Sequence, residues 1–340
     1  MDAELIVRCI NGILGGLGTV TNSLVFVLLL KHKLGSHLTN VLFRSQRIYD
    51  CFSCFIMFLV QLIGNNFYTS SSLLNGILCS IWSQENLFWP GPILAASNLV
   101  CLSLDRVLAV FKPVFYRQNQ KRLIIASLTY NIVNILILFT PRILHRRFVN
   151  GTCLFSMEAG NDPFSIISSV HSYLTLVFAY LLPSTCLIVS HALIIYKIKN
   201  LFSRRTKSSP ETSSSERDTV SALPRSDDQR ALRLRRAIIE LIITTVVVSS
   251  LYLSCYAFDL ITYVLGTSGQ LDYIGNQIRR QVGLGLIVLC ACISPCAVVC
   301  TTRHLRLHVI NIIGHQKREY STTLQSDTQS ESGAAAKQAD

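Results

Sequence analysis

The sequence predicts an all-α membrane protein, a seven-transmembrane helix bundle with a short amphipathic surface helix after the seventh span. Three observations predict it. Half of the 340 residues are apolar and only 15% are charged, against roughly a quarter charged in soluble domains. The apolar residues gather in blocks such as "VTNSLVFVLLL", "LVFAYLLPSTCLIVSHALII" and "AIIELIITTVVVSSLYLSCYAF", and about 20 such residues cross the hydrocarbon. Lys and Arg cluster in alternate connections between the blocks.

Inside a bilayer the backbone has no water to bond, so each block must be helical. The short alternating segments of an outer-membrane barrel are not seen. The spans fall at about 8–31, 40–63, 80–110, 123–143, 164–198, 234–265 and 281–301. The first starts too near Met1, and is too long, for a cleavable signal peptide, and reads as a signal anchor. Residues 1–7 then form a short outer terminus and 8–315 one membrane domain. The connection at about 200–232 and the tail at 316–340 are rich in Ser and charge and are expected to be disordered. In "TRHLRLHVINIIGH", Leu305, Leu307, Val309, Ile310 and Ile313 give an approximate apolar face, which suits a helix lying on the membrane surface.

The net charge of +12 raises nucleic acid as a partner. The alternate placement favours membrane lipid instead. Lys31 and Lys33, then Lys112, Arg117, Lys121 and Arg122, then Arg204, Arg205 and Lys207, then Arg303 and Arg306 belong on the cytoplasmic side. Arg142, Arg146, Arg147, Arg279 and Arg280 run against the rule. The amino terminus is thus expected outside and the carboxyl terminus inside. Asn150-Gly151-Thr152 is a glycosylation sequon on the outer side. Cys79 and Cys153 also lie there, where they can form a bridge or stay as two thiols.

Polar groups inside the spans carry the functional signal. "CLSLDRVLAVFKPVFY" sets Asp105 beside Arg106 at the inner end of the third span. "TVTNSLVFVLLL" carries Asn22, "TNVLFRSQRIYD" carries Asp50, and the seventh span reads Ser294-Pro295-Cys296-Ala297-Val298. Together with Asn98, Leu99, Ser103, Pro141 and Pro183, this combination resembles the rhodopsin-like (class A) G-protein-coupled receptors over about residues 10–315. The resemblance implies that Asp105 and Arg106 couple to a heterotrimeric G protein, and that Asn22, Asp50, Ser294 and Pro295 form a buried polar switch. It also implies sodium at Asp50, against a protonated Asp50 bonded to Asn22 or Ser294. Two departures stand out. The sixth span reads Tyr252-Leu253-Ser254-Cys255-Tyr256-Ala257-Phe258 and lacks the family's proline; the seventh lacks its tyrosine.

Phe88 stands where amine receptors carry an aspartate, which argues against an aminergic site. Asp259 falls in the outer half of the sixth span, either in a ligand pocket or paired with Arg279 or Arg280. Gln61, Glu85, His171, Tyr256 and Tyr263 are further pocket candidates. The expected ligand is a short peptide, or else a small chemosensory molecule. Arrestin and receptor kinases are implied partners for tail hydroxyls such as Ser326, Thr328 and Ser330. No Gly-rich phosphate loop or metal-ligand spacing appears, so neither an enzyme nor a cofactor is expected. A transporter and a non-signalling scaffold are the readings from other classes.

Overall fold

The structure is a computed structural model that describes residues 3–64, 69–144, 146–149, 152–155, 170–207, 226–267, 270–271, 277–303 and 305–311. Seven helical stretches are long and apolar enough to cross a membrane. The first two are α1 (Ala3–Lys31) and α2 (His37–Ile63); the short α3 (Ser72–Ile81) follows. The third span is α4 (Pro90–Phe111), joined by α5 (Pro113–Gln118) to the fourth, α6 (Gln120–Leu144). A hairpin of β1 (Arg146–Val149) and β2 (Thr152–Phe155) comes next. A π-helical turn at Leu176–Leu181 then leads into α7 (Leu182–Lys207), the fifth span. The sixth is α8 (Ser226–Thr267) and the seventh α9 (Gln277–Thr301).

Local chemistry sets these ends. Ser36 caps α2, accepting the Thr39 N–H at 3.1 Å, which satisfies one of the orphan donors of a helix start. Gly64 closes α2 at φ 89°, a conformation glycine adopts without a Cβ clash. The Arg44 guanidinium donates to the Leu29 carbonyl at 3.0 and 2.8 Å, placing a cation where α1 leaves its carbonyls unpaired.

The third span differs from its expected bounds. It is broken into α3, a 3-10 turn at Ser83–Phe88, and α4. Pro90 and Pro92 have no N–H to continue a ladder, so the helix restarts there with Pro90 at its first position. The first helix begins at Ala3, ahead of residue 8. The connection expected at 200–232 is helical at both ends, through Lys207 and from Ser226; residues 208–225 and the tail at 316–340 lie outside the described residues. Residues 305–311 are helical, with Leu305 buried in the bundle while Leu307 and Ile310 face outward; Ile313 lies outside the described residues. The all-α expectation omitted the hairpin, which pairs Phe148 with Cys153. Cys79 and Cys153 are disulfide-bonded, with Cα atoms 5.4 Å apart, so the hairpin is tied to α3. Asn150 lies outside the described residues.

The bundle hides its polar groups and shows its apolar ones. Ile13, Leu17, Val20 and Leu24 on α1, and Ile125, Leu128, Ile132 and Leu136 on α6, are exposed. Hydrocarbon is the medium that favours such a surface, since water would penalise so large an apolar patch. Between helices the packing is close. A Cβ built on Gly15 would stand 2.8 Å from the Cys54 carbonyl oxygen and 2.9 Å from the Phe58 nitrogen, both backbone atoms of α2. Small residues permit that approach, and packing of this kind holds membrane helices together. Gly15→Val should therefore destabilise the protein by about 1–3 kcal/mol, as overpacking does, and lower its melting temperature in detergent.

Candidate functional site

The buried polar residues fall into three layers along the bundle. At the end opposite the disulfide, Asp105 (1% exposed) and Arg106 (5% exposed) form an ion pair at 2.6 Å. Thr39 on α2 donates to Asp105 Oδ2 at 2.9 Å and accepts from Arg106 Nη2 at 2.8 Å. Tyr116 on α5 donates to Asp105 Oδ1 at 2.5 Å, and Ser36, the α2 cap, lies 2.5 Å from that hydroxyl. Burial, with the Asp105 charge beside it, holds the Tyr116 hydroxyl above its ordinary range. Adjacency along the chain marks only the Asp105–Arg106 pair. Thr39 and Tyr116 turn it into a clasp between the third span, the second span and α5.

The sixth span closes the same end from the other side. Glu240 Oε2 accepts the Arg303 backbone N–H at 3.1 Å, and the Thr244 and Thr301 hydroxyls meet at 2.6 Å.

The middle layer holds Asn22, Asp50 and Ser294 together, with a fourth member the sequence argument passed over. Arg47 is fully buried, one helical turn before Asp50, and pairs with Asp50 Oδ2 at 3.0 Å. Its Nη1 donates to Asn22 Oδ1 at 2.9 Å and its Nη2 to Ser294 Oγ at 2.7 Å. Asn22 donates in turn to the carbonyls of Gly18 (2.8 Å) and Ala291 (2.9 Å). Gln46 donates to Asp50 Oδ1 at 3.2 Å and accepts from Asn98 at 2.9 Å. Pro295 sits inside α9 immediately after Ser294 and takes one donor out of its ladder. The i, i+3 spacing of Arg47 and Asp50 on one helix face was the sequence signal for this pair.

Compared with known families, residues 21–305 match the model described as 7 transmembrane receptor (rhodopsin family). The chain belongs to the rhodopsin family of G-protein-coupled receptors. Proteins of this family are receptors rather than enzymes, and the chain is a multi-pass membrane protein. The comparison with curated proteins found no match.

Sodium does not fit the receptor's middle layer. Asp50 is already paired with a guanidinium, and the Asn22 and Ser294 oxygens both accept from it. Ala95 offers a methyl group toward the same space, whose free volume is about 10 Å³. The partners expected for a protonated Asp50 are engaged by Arg47, since the Asn22 and Ser294 oxygens accept from its guanidinium.

At the disulfide end the receptor has an enclosed cleft. It is lined by Trp89, Ile93, Leu138, Arg142, Tyr180, Tyr252, Tyr256 and Asp259, among others. Tyr252 and Tyr256 stack at 3.9 Å and line both this cleft and the small space beside Asp50, so they form the floor between them. Arg142 lies over the Trp89 ring at 4.0 Å and near the Tyr263 ring at 5.5 Å. The free volume is about 30 Å³, room for a few waters.

Two of the expected pocket residues, Tyr256 and Asp259, line this cleft, and Tyr263 borders it through Arg142. Four do not. Phe88 is fully buried in the core against Trp89, and His171 meets the Leu138 carbonyl at 2.9 Å. Glu85 and Gln61 belong to the third polar layer. Arg280 Nη2 pairs with Glu85 Oε2 at 3.2 Å, and Gln281 donates to Glu85 Oε1 at 2.8 Å. Gln61 donates to Gln281 at 2.9 Å, and Asn11 donates to the Gln281 carbonyl at 2.8 Å. Glu85 holds φ 57°, uncommon for a residue with a side chain, and its carboxylate is where the first, second, third and seventh spans join. Arg280 was one of two arginines expected as a partner of Asp259; it reaches Glu85 instead.

Arg142, read in the sequence as an exception to the charge rule, is the cation of the cleft. Nearby, burial and the Arg142 charge pull Arg146 down to about 10, while Glu85 opposes them. Glu85→Gln should leave the buried Arg280 without its counter-charge and cost about 3–5 kcal/mol. Glu85→Gln/Arg280→Gln should recover most of the loss, as read by thermal unfolding in detergent.

Proposed function

We propose that the chain is a cell-surface receptor, its amino terminus outside and its carboxyl terminus cytoplasmic, that binds a short peptide in the Tyr252–Tyr256 cleft and activates a heterotrimeric G protein through Asp105 and Arg106. The observation that carries this reading is the continuity of α8. One helix brings Tyr252, Tyr256 and Asp259 to the cleft and, at its other end, Glu240 and Thr244 to Arg303 and Thr301 at the end of the seventh span. A ligand that favours a displaced α8 needs only a differential affinity for the two states, typically about 1–3 kcal/mol. Release of the Glu240 and Thr244 contacts frees the inner end of α8 from the end of the seventh span, and Arg106 becomes the group that the partner engages. The guanidinium then leaves Asp105 for the carboxyl-terminal segment of the G-protein α subunit.

The cleft's chemistry supports a peptide. Arg142, backed by the face of Trp89, suits a carboxylate. Asp259 suits an ammonium, and the tyrosines suit an aromatic or aliphatic side chain between them. The small free volume favours a second reading, a compact chemosensory ligand in the same place. Asn150 is the proposed glycan site, and tail hydroxyls such as Ser326, Thr328 and Ser330 are proposed substrates for receptor kinases and hence docking points for arrestin. The basic connections hold the cytoplasmic face to anionic lipid.

Arg106→Ala should abolish nucleotide exchange on a co-reconstituted G protein while surface expression persists; full exchange by that variant sinks the coupling mechanism. Pools of short peptides and of small amines and acids, applied to cells expressing the chain with a second-messenger readout, separate the two ligand readings. Arg142→Gln should weaken the response to any carboxylate-bearing agonist by about tenfold or more, the range of a lost charge-assisted hydrogen bond, without changing surface level.

A further inference from the structure

The middle layer departs from what membership of this family implies, and the departure has a functional content. A carboxylate in mid-span is kept only if a cation or a proton neutralises it. At Asp50 the cation is part of the chain. We propose that the Arg47 guanidinium is the receptor's resident cation. It takes the place a diffusible sodium ion would occupy and makes the resting state independent of sodium.

Geometry carries the proposal. Arg47 is fully buried and its side chain touches three spans: Asp50 on its own helix at 3.0 Å, Asn22 on α1 at 2.9 Å and Ser294 on α9 at 2.7 Å. These are the oxygens a small cation would need. The remaining Asp50 oxygen accepts from Gln46, Ala95 supplies no oxygen, and about 10 Å³ of free space is left beside the carboxylate. A planar guanidinium with five donors suits the task, since it reaches several acceptors in fixed directions where a spherical ion needs a closed shell of oxygens. It also cannot dissociate. A diffusible ion stabilises the state it binds by an amount that grows with its concentration. A tethered charge contributes the same at every salt composition, so the link between the first, second and seventh spans has no sodium term.

The test uses the full chain in detergent and needs neither ligand nor G protein, so its outcome is independent of the proposed signalling role. Melting temperatures are compared in sodium chloride and in choline chloride at equal ionic strength. The wild-type protein should show no sodium-specific shift. Arg47→Met frees Asp50, Asn22 and Ser294 and opens space beside them. It should melt lower than wild type in choline and regain part of the loss in sodium. Arg47→Met/Asp50→Asn, with neither charge, should melt near wild type and ignore sodium. A sodium-specific rise in the wild-type melting temperature overturns the proposal. So does an Arg47→Met protein as stable as wild type and equally indifferent to sodium. If Arg47→Met fails to fold in either salt, recovery in the double variant supports the proposal, and failure of the double variant as well counts against it.

Discussion

One guanidinium at the level of Asp50 ties three helices, because polar groups buried in a bilayer-spanning bundle must find their partners within the chain. The same constraint shapes the rest of the bundle. Each polar layer balances an arginine against a carboxylate: Arg280 with Glu85, Arg47 with Asp50, Arg106 with Asp105. Each pair is then completed by amides or hydroxyls from other helices, which is the condition for a buried ion pair to be tolerated. A half-satisfied layer would be worse than an apolar one.

The layers are unevenly shared. The first, second, third and seventh spans carry nearly all of their contacts. The fifth and sixth spans are joined to each other, among the described residues, by hydroxyl and imidazole contacts rather than ion pairs: Tyr252 to the Ala179 carbonyl at 3.0 Å, Tyr180 to the Leu253 carbonyl at 3.4 Å and His191 to Ser249 at 3.4 Å. Regions with few buried polar ties are the ones that open at low cost. The cleft lies on that side, against α8 and the turn of the fifth span ahead of α7 that carries Thr175, Ala179 and Tyr180. The proposed ligand site thus sits apart from the three ion pairs.

Much of this was legible in the residues. The spans follow from apolar runs that must be helical in hydrocarbon, although the third was expected as one run and is interrupted ahead of Pro90. The pairing of Asp105 with Arg106 needed only adjacency. What the sequence hid were contacts between helices far apart in the chain. Glu85 and Gln61 looked like pocket residues because a polar side chain near a helix end has two uses, lining a cavity or bonding a neighbour. Only the rotation of α9, which brings Arg280 and Gln281 onto them, decides between those uses. Arg142 stood out only as an exception in a charge count, which weighs how many cations a loop holds and says nothing about the Trp89 ring beneath this one. Arg47 was within reach of helical spacing, yet its Asn22 and Ser294 partners lie on other spans and carry no local signature.

The sixth span is an unbroken helix from Ser226 to Thr267, with no proline anywhere along it. A kinked rod can absorb a push at one end by flexing at its joint. A continuous one moves as a single beam, seated at Tyr252, which is 2% exposed and bonded through its hydroxyl to the Ala179 carbonyl at 3.0 Å, and at Thr244, which meets Thr301 at 2.6 Å. In the proposed receptor cycle, pressure on the stretch that bears Asp259 moves the stretch that bears Glu240 as part of one stiff rod. Continuity of the helix then takes over the work that a hinge performs elsewhere.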